Sequence, residues 1–252
     1  MRLRPLASLL VLALLTGFAL QRRPVTVFLA GDSTMAEKLP EKRPETGWGE
    51  RLQAHFDTSA VRIENHARNG RSTRTFIEEG RWDALLGRVQ PGDYVFIQFG
   101  HNDQSVEKPD RYTPPDDFRA NLIRFVADVR TRGATPVLLT PVVRRRFDST
   151  AVFYDVHGVY PDLTRRVAAA TRTPLIDLHR RSEALVREYG PDRSRALFLH
   201  LAPGASPNYP SGLRDDTHFS PLGADEMAAL AVDGLRATSL PLAALLRPAP
   251  FR

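Results

Sequence analysis

An α/β fold, with helices on both faces of a mostly parallel sheet, is what this 252-residue sequence predicts. Two observations carry the prediction. Short apolar runs rich in β-formers alternate with segments of helical spacing along the chain. The middle run, Tyr94-Val95-Phe96-Ile97-Gln98-Phe99, is almost continuously apolar, as a parallel strand covered on both faces should be.

The expected strands, in order, are 25–30, 61–65, 94–99, 136–140 and 174–178, which gives a central sheet of about five strands. Helical periodicity marks 48–56, 72–88, 116–131, 160–171, 182–189 and 221–235. In the third of these, Leu122, Phe125, Val126 and Val129 recur at three- and four-residue intervals and define one buried face. The last begins with Ser220 as N-cap and Pro221 at the first helical position. The Pro/Gly/Asn/Ser-rich stretch 203–212 reads as a loop, and Arg144–Arg146, just after Pro141, falls in a loop following the fourth strand.

Residues 1–20 read as an export signal: Arg2 and Arg4 precede an uncharged apolar run from Leu6 to Ala19. That run is shorter than the roughly 18–20 residues of a membrane span. Cleavage after Ala19 and an uncleaved N-terminal anchor both remain open, because Gly17-Phe18-Ala19 is a poor small-x-small site. A secreted or periplasmic location follows, with 21–252 as one catalytic domain and no stable membrane association once the signal is cleaved. A monomer is expected. The absence of cysteine excludes disulfides, a thiolate nucleophile and zinc–cysteine sites, so the mature chain relies on an ordinary core. Formal charge is +6, two of which come from Arg2 and Arg4. The excess reads either as a solvated basic surface or as attraction for an acidic polymer. Basic blocks interleaved with aromatics are missing, which disfavours nucleic acid.

Four blocks carry the chemistry. Gly31-Asp32-Ser33 ends the first strand, Asn69-Gly70-Arg71-Ser72 follows the second, and Gly100-His101-Asn102-Asp103 follows the third. Asp215-Asp216-Thr217-His218 precedes the last helix. Ligands of open α/β sheets bind at the carboxyl ends of the strands, so all four converge on one rim. Acyl transfer needs a nucleophile, a base, an orienter and donors for a developing oxyanion. Ser33 supplies the hydroxyl, His218 the base, and Asp215 the carboxylate that sets the imidazole tautomer. The Ser33 and Gly70 N–H groups and the Asn102 amide are the candidate oxyanion donors. Each block alone also has a structural reading as a turn or a cap. Together, in this order, they favour a serine esterase.

These same strings resemble the SGNH (GDSL-like) hydrolase superfamily, whose four defining blocks they match in order. The fuller strings are similar to the rhamnogalacturonan acetylesterase family: Gly31 through Ala36, Gly47-Trp48-Gly49, Asn65 through Ser72, Phe99 through Asp103, and Asp215 through Ser220 with Gly223-Ala224. The resemblance implies a three-layer α/β/α flavodoxin-like fold and a Ser–His–Asp esterase that uses no metal and no cofactor. It implies removal of acetyl groups from a pectic polysaccharide or oligosaccharide. Related members act on other acetylated sugars. Asp216 departs from the pattern, since some relatives carry a small or amide residue there.

Asp32, Arg71, His101, Trp48 and His157 are the candidate substrate-binding residues. Trp48 has two readings, a platform for a sugar ring and a core residue opening an amphipathic segment. His157 reads equally as an acceptor-side residue and as a surface-loop histidine. Arg71, Arg74 and Arg144–Arg146 are candidates for meeting uronate carboxylates, against the simpler reading of a solvated arginine run. Rival functions are a metallophosphoesterase, an esterase for xylan acetyl groups or lipids, an acyltransferase, and an inactive carbohydrate-binding protein. The first lacks the clustered His and Asp ligands that two metals require.

Overall fold

The computed structural model describes residues 23–248. The segment read as an export signal lies outside the described residues. Five parallel strands form the sheet, in the order β2-β1-β3-β4-β5. They are β1 (Val25–Gly31), β2 (Val61–Asn65), β3 (Tyr94–Gln98), β4 (Thr135–Leu139) and β5 (Leu175–Ile176). β1 sits between β2 and β3, with Leu29 opposite Asn65 on one side and Phe96 on the other.

Strand alternation divides the interior into two cores. Val27, Leu29, Phe96 and Val137 point to a layer that holds Trp48, Phe198 and Met227. Phe28, Ala30, Val95 and Ile97 point to the opposite layer with Phe76, Trp82, Leu122 and Phe125. A period of two in β-formers buried on both sides produces this three-layer packing. The second layer is carried by α1 (Thr73–Glu78), α2 (Arg81–Leu86), α3 (Pro115–Thr131) and α4 (Tyr160–Thr171). The first is carried by α5 (Leu178–Arg193) and α6 (Pro221–Arg236). Among the described residues no helix is long and apolar enough to cross a membrane.

The elements expected over 61–65 and 160–171 have those bounds in the structure. Others differ for local reasons. The segment 48–56 forms two 3-10 turns, Trp48–Glu50 and Leu52–His55, in place of an α-helix. It lies hard against the chain after β1: a Cβ on Gly49 would stand 2.5 Å from the Met35 carbonyl. The stretch 72–88 is broken into α1 and α2 at Gly80, whose φ of +67° ends the first helix. β5 is reduced to two residues because Asp177 already caps α5, accepting from the Arg180 N–H.

A two-stranded ribbon had no counterpart in the sequence reading. β6 (Phe198–Leu201) and β7 (Leu213–Phe219) pair as an antiparallel ribbon outside the main sheet. Leu-Arg-Asp-Asp-Thr-His-Phe is too polar to read as a strand, and most of β7 is only half-buried. The loop between them covers the expected 203–212 stretch.

α6 locks this ribbon in place through Ser220 and Gly223. Ser220 caps the helix by accepting from Gly223 N–H at 3.1 Å, and its hydroxyl donates to the Ala196 carbonyl. A Cβ on Gly223 would stand 1.7 Å from the Leu197 carbonyl, inside the backbone itself. Gly223→Ala should therefore destabilise the fold by about 1–3 kcal/mol or more, read as a lower urea midpoint. A wild-type midpoint would show that α6 is free to move off Leu197.

Candidate active site

The strand order sets the site before any side chain is considered. With the order 2-1-3-4-5, the connection after β1 lies on the Trp48 layer and the connection after β3 on the α3 layer. The two loops part above the carboxyl ends of β1 and β3 and leave a crevice. Ser33 stands two residues beyond β1, Gly70 in the loop after β2, and Asn102 in the loop after β3. β7 crosses the open side and presents Asp215 and His218.

Ser33 and His218 are 185 positions apart in sequence, yet Ser33 Oγ lies 2.9 Å from His218 Nε2. His218 Nδ1 lies 2.7 Å from Asp215 Oδ2. The other carboxylate oxygen accepts the N–H groups of Thr217 at 2.7 Å and His218 at 3.0 Å. This turn around Asp215 presents both side chains within three residues of an extended strand. Burial alone would raise the Asp215 carboxyl. The His218 hydrogen bond and charge, with the two N–H donors, outweigh it and hold the group at about 2.

Gly70 has φ +77°, a left-handed conformation that turns the loop toward the crevice. Asn102 Nδ2 donates to the Arg71 carbonyl at 2.9 Å, and the second hydrogen of that amide remains for a ligand. The loop carrying Asn102 is held by buried Asp103. Its carboxylate accepts Thr73 N–H at 2.8 Å, Thr73 Oγ1 at 2.6 Å and Gly100 N–H at 3.1 Å. Desolvation pushes Asp103 up to about 6 against those hydrogen bonds.

The candidate substrate-binding residues divide. His101 and Arg71 line a cleft of about 530 Å³ that also contains Ser33, Gly70, Asn102 and His218. Trp48, Asp32 and His157 are corrections. Trp48 is fully buried, and its indole N–H donates to Gln98 Oε1 at 2.8 Å. Gln98 Nε2 donates to Thr34 Oγ1 at 2.8 Å, and that hydroxyl donates to Asp32 Oδ1 at 2.8 Å. Asp32 is thus the buried end of a polar chain under the nucleophile, and Trp48 is core.

His157 is buried and faces other side chains rather than the cleft. Its Nδ1 lies 2.7 Å from Asp155 Oδ1, and its Nε2 lies 3.2 Å from His101 Nδ1. His179 Nε2 stands 3.1 Å from the same Asp155 oxygen. Asp155, His157 and His179 have the donor set of a metal site. Two ligands of one zinc ion sit roughly 3.3 Å apart, given bonds of about 2.0–2.1 Å. The 2.7 Å separation here is that of a shared proton.

Arginines at the site are mostly committed. Arg71 is held by Glu79 at 2.9 Å and Arg74 by Glu78 at 3.0 Å. The reading of Arg144–Arg146 as a solvated run is corrected for its first two members. Arg145 is buried and pairs with Asp216 at 2.8 Å, which also takes His200 Nε2 at 2.8 Å. Asp216 therefore faces away from Ser33. Arg144 lines the cleft, donating to Thr217 Oγ1 at 2.6 Å and to the His101 carbonyl at 3.2 Å. Among the described residues, Arg144, Lys42 and Lys108 line the cleft without a carboxylate in ion-pair range. Lys42 and Lys108 escaped the sequence reading because isolated lysines in polar stretches carry no pattern.

The Asp155 cluster has a measurable consequence. Burial opposes its charge, but hydrogen bonds and charge from His157 and His179 hold the carboxyl far below its usual range. The unfolded group sits near about 3.9. Its ionised form therefore stabilises the fold fully above that value, and the contribution is lost as the pH falls below it. Tm should fall steeply from about pH 4 to about pH 2. Asp155→Asn should lower Tm at neutral pH and flatten the acid decline; parallel curves would remove the cluster from the stability account.

A family model described as the GDSL-like lipase/acylhydrolase family matches residues 29–225. The chain is 42% identical to rhamnogalacturonan acetylesterase RhgT of Bacillus subtilis, over 88% of its own length and 94% of that protein's. It is 36% identical to the probable rhamnogalacturonan acetylesterase YesY of the same organism, over 86% and 94% of the two chains. The crystal structure of Bacillus subtilis YxiM aligns with a TM-score of 0.72 at 29% identity, covering 84% of this chain and 56% of that one. The chain thus spans little more than half of YxiM. With the match extending over most of its length and across the Ser33–His218 rim, the chain belongs to the GDSL-like lipase/acylhydrolase family and is a serine carboxylic ester hydrolase.

Proposed function

We propose that this protein removes acetyl groups from a plant cell-wall polysaccharide, with acetylated rhamnogalacturonan as the substrate, through an acetyl-Ser33 intermediate. The observation that carries the chemistry is the continuous hydrogen-bonded line Ser33 Oγ–His218–Asp215 beside Gly70 and Asn102. The relatives' names support the substrate.

In the first half-reaction His218 Nε2 takes the Ser33 hydroxyl proton as Oγ bonds to the acetyl carbon. Negative charge moves to the former carbonyl oxygen, where the Ser33 and Gly70 N–H groups and the Asn102 amide donate to it. Collapse breaks the ester C–O bond, and His218 returns the proton to the departing sugar oxygen. In the second half, His218 deprotonates water, which attacks acetyl-Ser33. Acetate leaves and the serine proton is restored. Asp215 holds the imidazole with Nε2 toward Ser33 and stabilises the imidazolium between transfers. The uncommitted cations around the cleft favour an acidic polymer, whose carboxylates would be drawn to Arg144, Lys42 and Lys108. The charged N-terminal segment and its apolar run support action outside the cytoplasm.

Acetate release should be greatest from pectic rhamnogalacturonan when it is compared with homogalacturonan and xylan. Release from xylan alone would redirect the substrate assignment. Ser33→Ala should lower kcat by about 10⁶-fold and His218→Ala by a similar factor. Asp215→Ala should retain somewhat more activity, and a wild-type rate in that variant would overturn the triad. Arg144→Gln should raise KM on acetylated acidic oligosaccharide several-fold while leaving KM for p-nitrophenyl acetate nearly unchanged. Added salt should weaken the first and not the second; equal effects on both substrates would remove Arg144 from uronate recognition.

A further inference from the structure

The loop after Ser33 buries a lysine that the sequence reading passed over. Lys38 lies five residues beyond the nucleophile, and its side chain has 0% exposure. Its ammonium donates to the Ser33 carbonyl oxygen, to Asn69 Oδ1 at 3.0 Å, and to Glu45 Oε1 at 2.7 Å. A lysine ammonium has three hydrogens, and all three are engaged. Two of the three acceptors belong to Ser33 and to Asn69, the residue whose peptide bond carries the Gly70 N–H.

We propose that Lys38 is a positioning residue for the ester-cleavage reaction: its ammonium clamps the Ser33 carbonyl to the Asn69 side chain and so aims the two main-chain oxyanion donors at one point. The inference rests on the acyl-transfer reading of Ser33. Gly70 stands at φ +77° and, lacking a Cβ, does not restrict its own peptide. The direction of its N–H must then be set from outside the residue. Asn69 is the adjacent handle: Arg71 Nη1 donates to its carbonyl at 2.7 Å, and Lys38 holds its side chain at 3.0 Å. Ser33 sits on a different strand's loop, and the same ammonium holds its carbonyl. One cation therefore ties together the ends of β1 and β2.

Stability alone is a poor reason for such a group. A buried ion pair such as Lys38–Glu45 gives up the hydration of both charges, and well-packed apolar residues in its place are often neutral or stabilising. Oxyanion donors, by contrast, work only when fixed beforehand at hydrogen-bond distance from the oxygen as its charge develops. A lysine placed between the two donor segments supplies that fixing.

The test is steady-state kinetics on p-nitrophenyl acetate with Lys38→Met, Asn69→Ala, the double variant and Ser33→Ala, together with the affinity of a boronic acid that forms a tetrahedral adduct on Ser33. Lys38→Met should lower kcat by about 10²-fold, the scale of losing one oxyanion donor, with KM changed less than about threefold. Asn69→Ala cuts one arm of the clamp and leaves the ion pair intact, so it should fold normally and lower kcat about tenfold. The double variant should be no slower than Lys38→Met, because both changes break one clamp. Boronate affinity should fall in step with kcat. Asn69→Ala with wild-type kcat and wild-type boronate affinity, beside an inactive Ser33→Ala, would overturn the Lys38 assignment alone. Turnover by Ser33→Ala would instead overturn the acyl-enzyme reading on which it rests.

Discussion

The pairing of β1 with β2 on one side and β3 on the other is the constraint on which the rest of the site depends. Parallel strands all end on the same rim, so every loop leaving that end of the sheet opens into one crevice. The nucleophile follows β1, the Gly70 turn follows β2 and the Asn102 loop follows β3. No side-chain contact creates that convergence. It comes from backbone pairing in register, with Leu29 facing Asn65 and Phe96, and from two apolar layers that cover both faces. The base and its carboxylate are the exception. They arrive on β7, outside the main sheet, and α6 holds that strand through the close approach of Gly223 to Leu197.

Beneath the rim, buried polar groups convert a loose convergence of loops into fixed geometry. Trp48, Gln98, Thr34 and Asp32 form one hydrogen-bonded chain that passes from the core to the turn holding Ser33. Asp103 does the same for the third loop, tying Gly100 to the first residue of α1. Removing one member of such a chain leaves a buried partner unsatisfied at about 1–3 kcal/mol. These residue types recur beside the catalytic ones because each loop must be fixed from below, where water is excluded. Gln98, at the carboxyl end of the most apolar strand, belongs to that scaffold.

Charge is distributed by the same logic. Most arginines near the site are bound by carboxylates: Arg71 by Glu79, Arg74 by Glu78, Arg145 by Asp216. The two more exposed pairs, at Arg71 and Arg74, contribute little to stability. Their effect at the cleft is to remove most of the basic residues from consideration as ligand contacts. Arg144 differs, since its partners are a hydroxyl and a carbonyl, and its charge remains in the cleft wall.

Much of this was legible in the amino-acid sequence. Short apolar runs rich in β-formers, alternating with helical spacing, predicted a parallel α/β sheet, and two elements have their expected bounds. The residues that meet at the rim, Ser33, Gly70, Asn102, Asp215 and His218, were readable because each falls at a strand end or just before the last helix. Residues read by type alone fared differently. Trp48 was readable both as a sugar platform and as core, and it is core; His157 was readable both as a cleft residue and as a surface-loop residue, and it is neither, being buried against Asp155 and His101. Lys38 gave no signal, because a lysine next to Glu37 reads as a solvated charge. β7 gave none either, its seven residues being too polar for an apolar run. Local sequence determines where the chain extends, turns and coils, since those preferences act over a few neighbouring residues. Which polar groups are buried, what each one faces and which cations stay free were decided only by tertiary packing, through contacts between segments 30 to 185 residues apart.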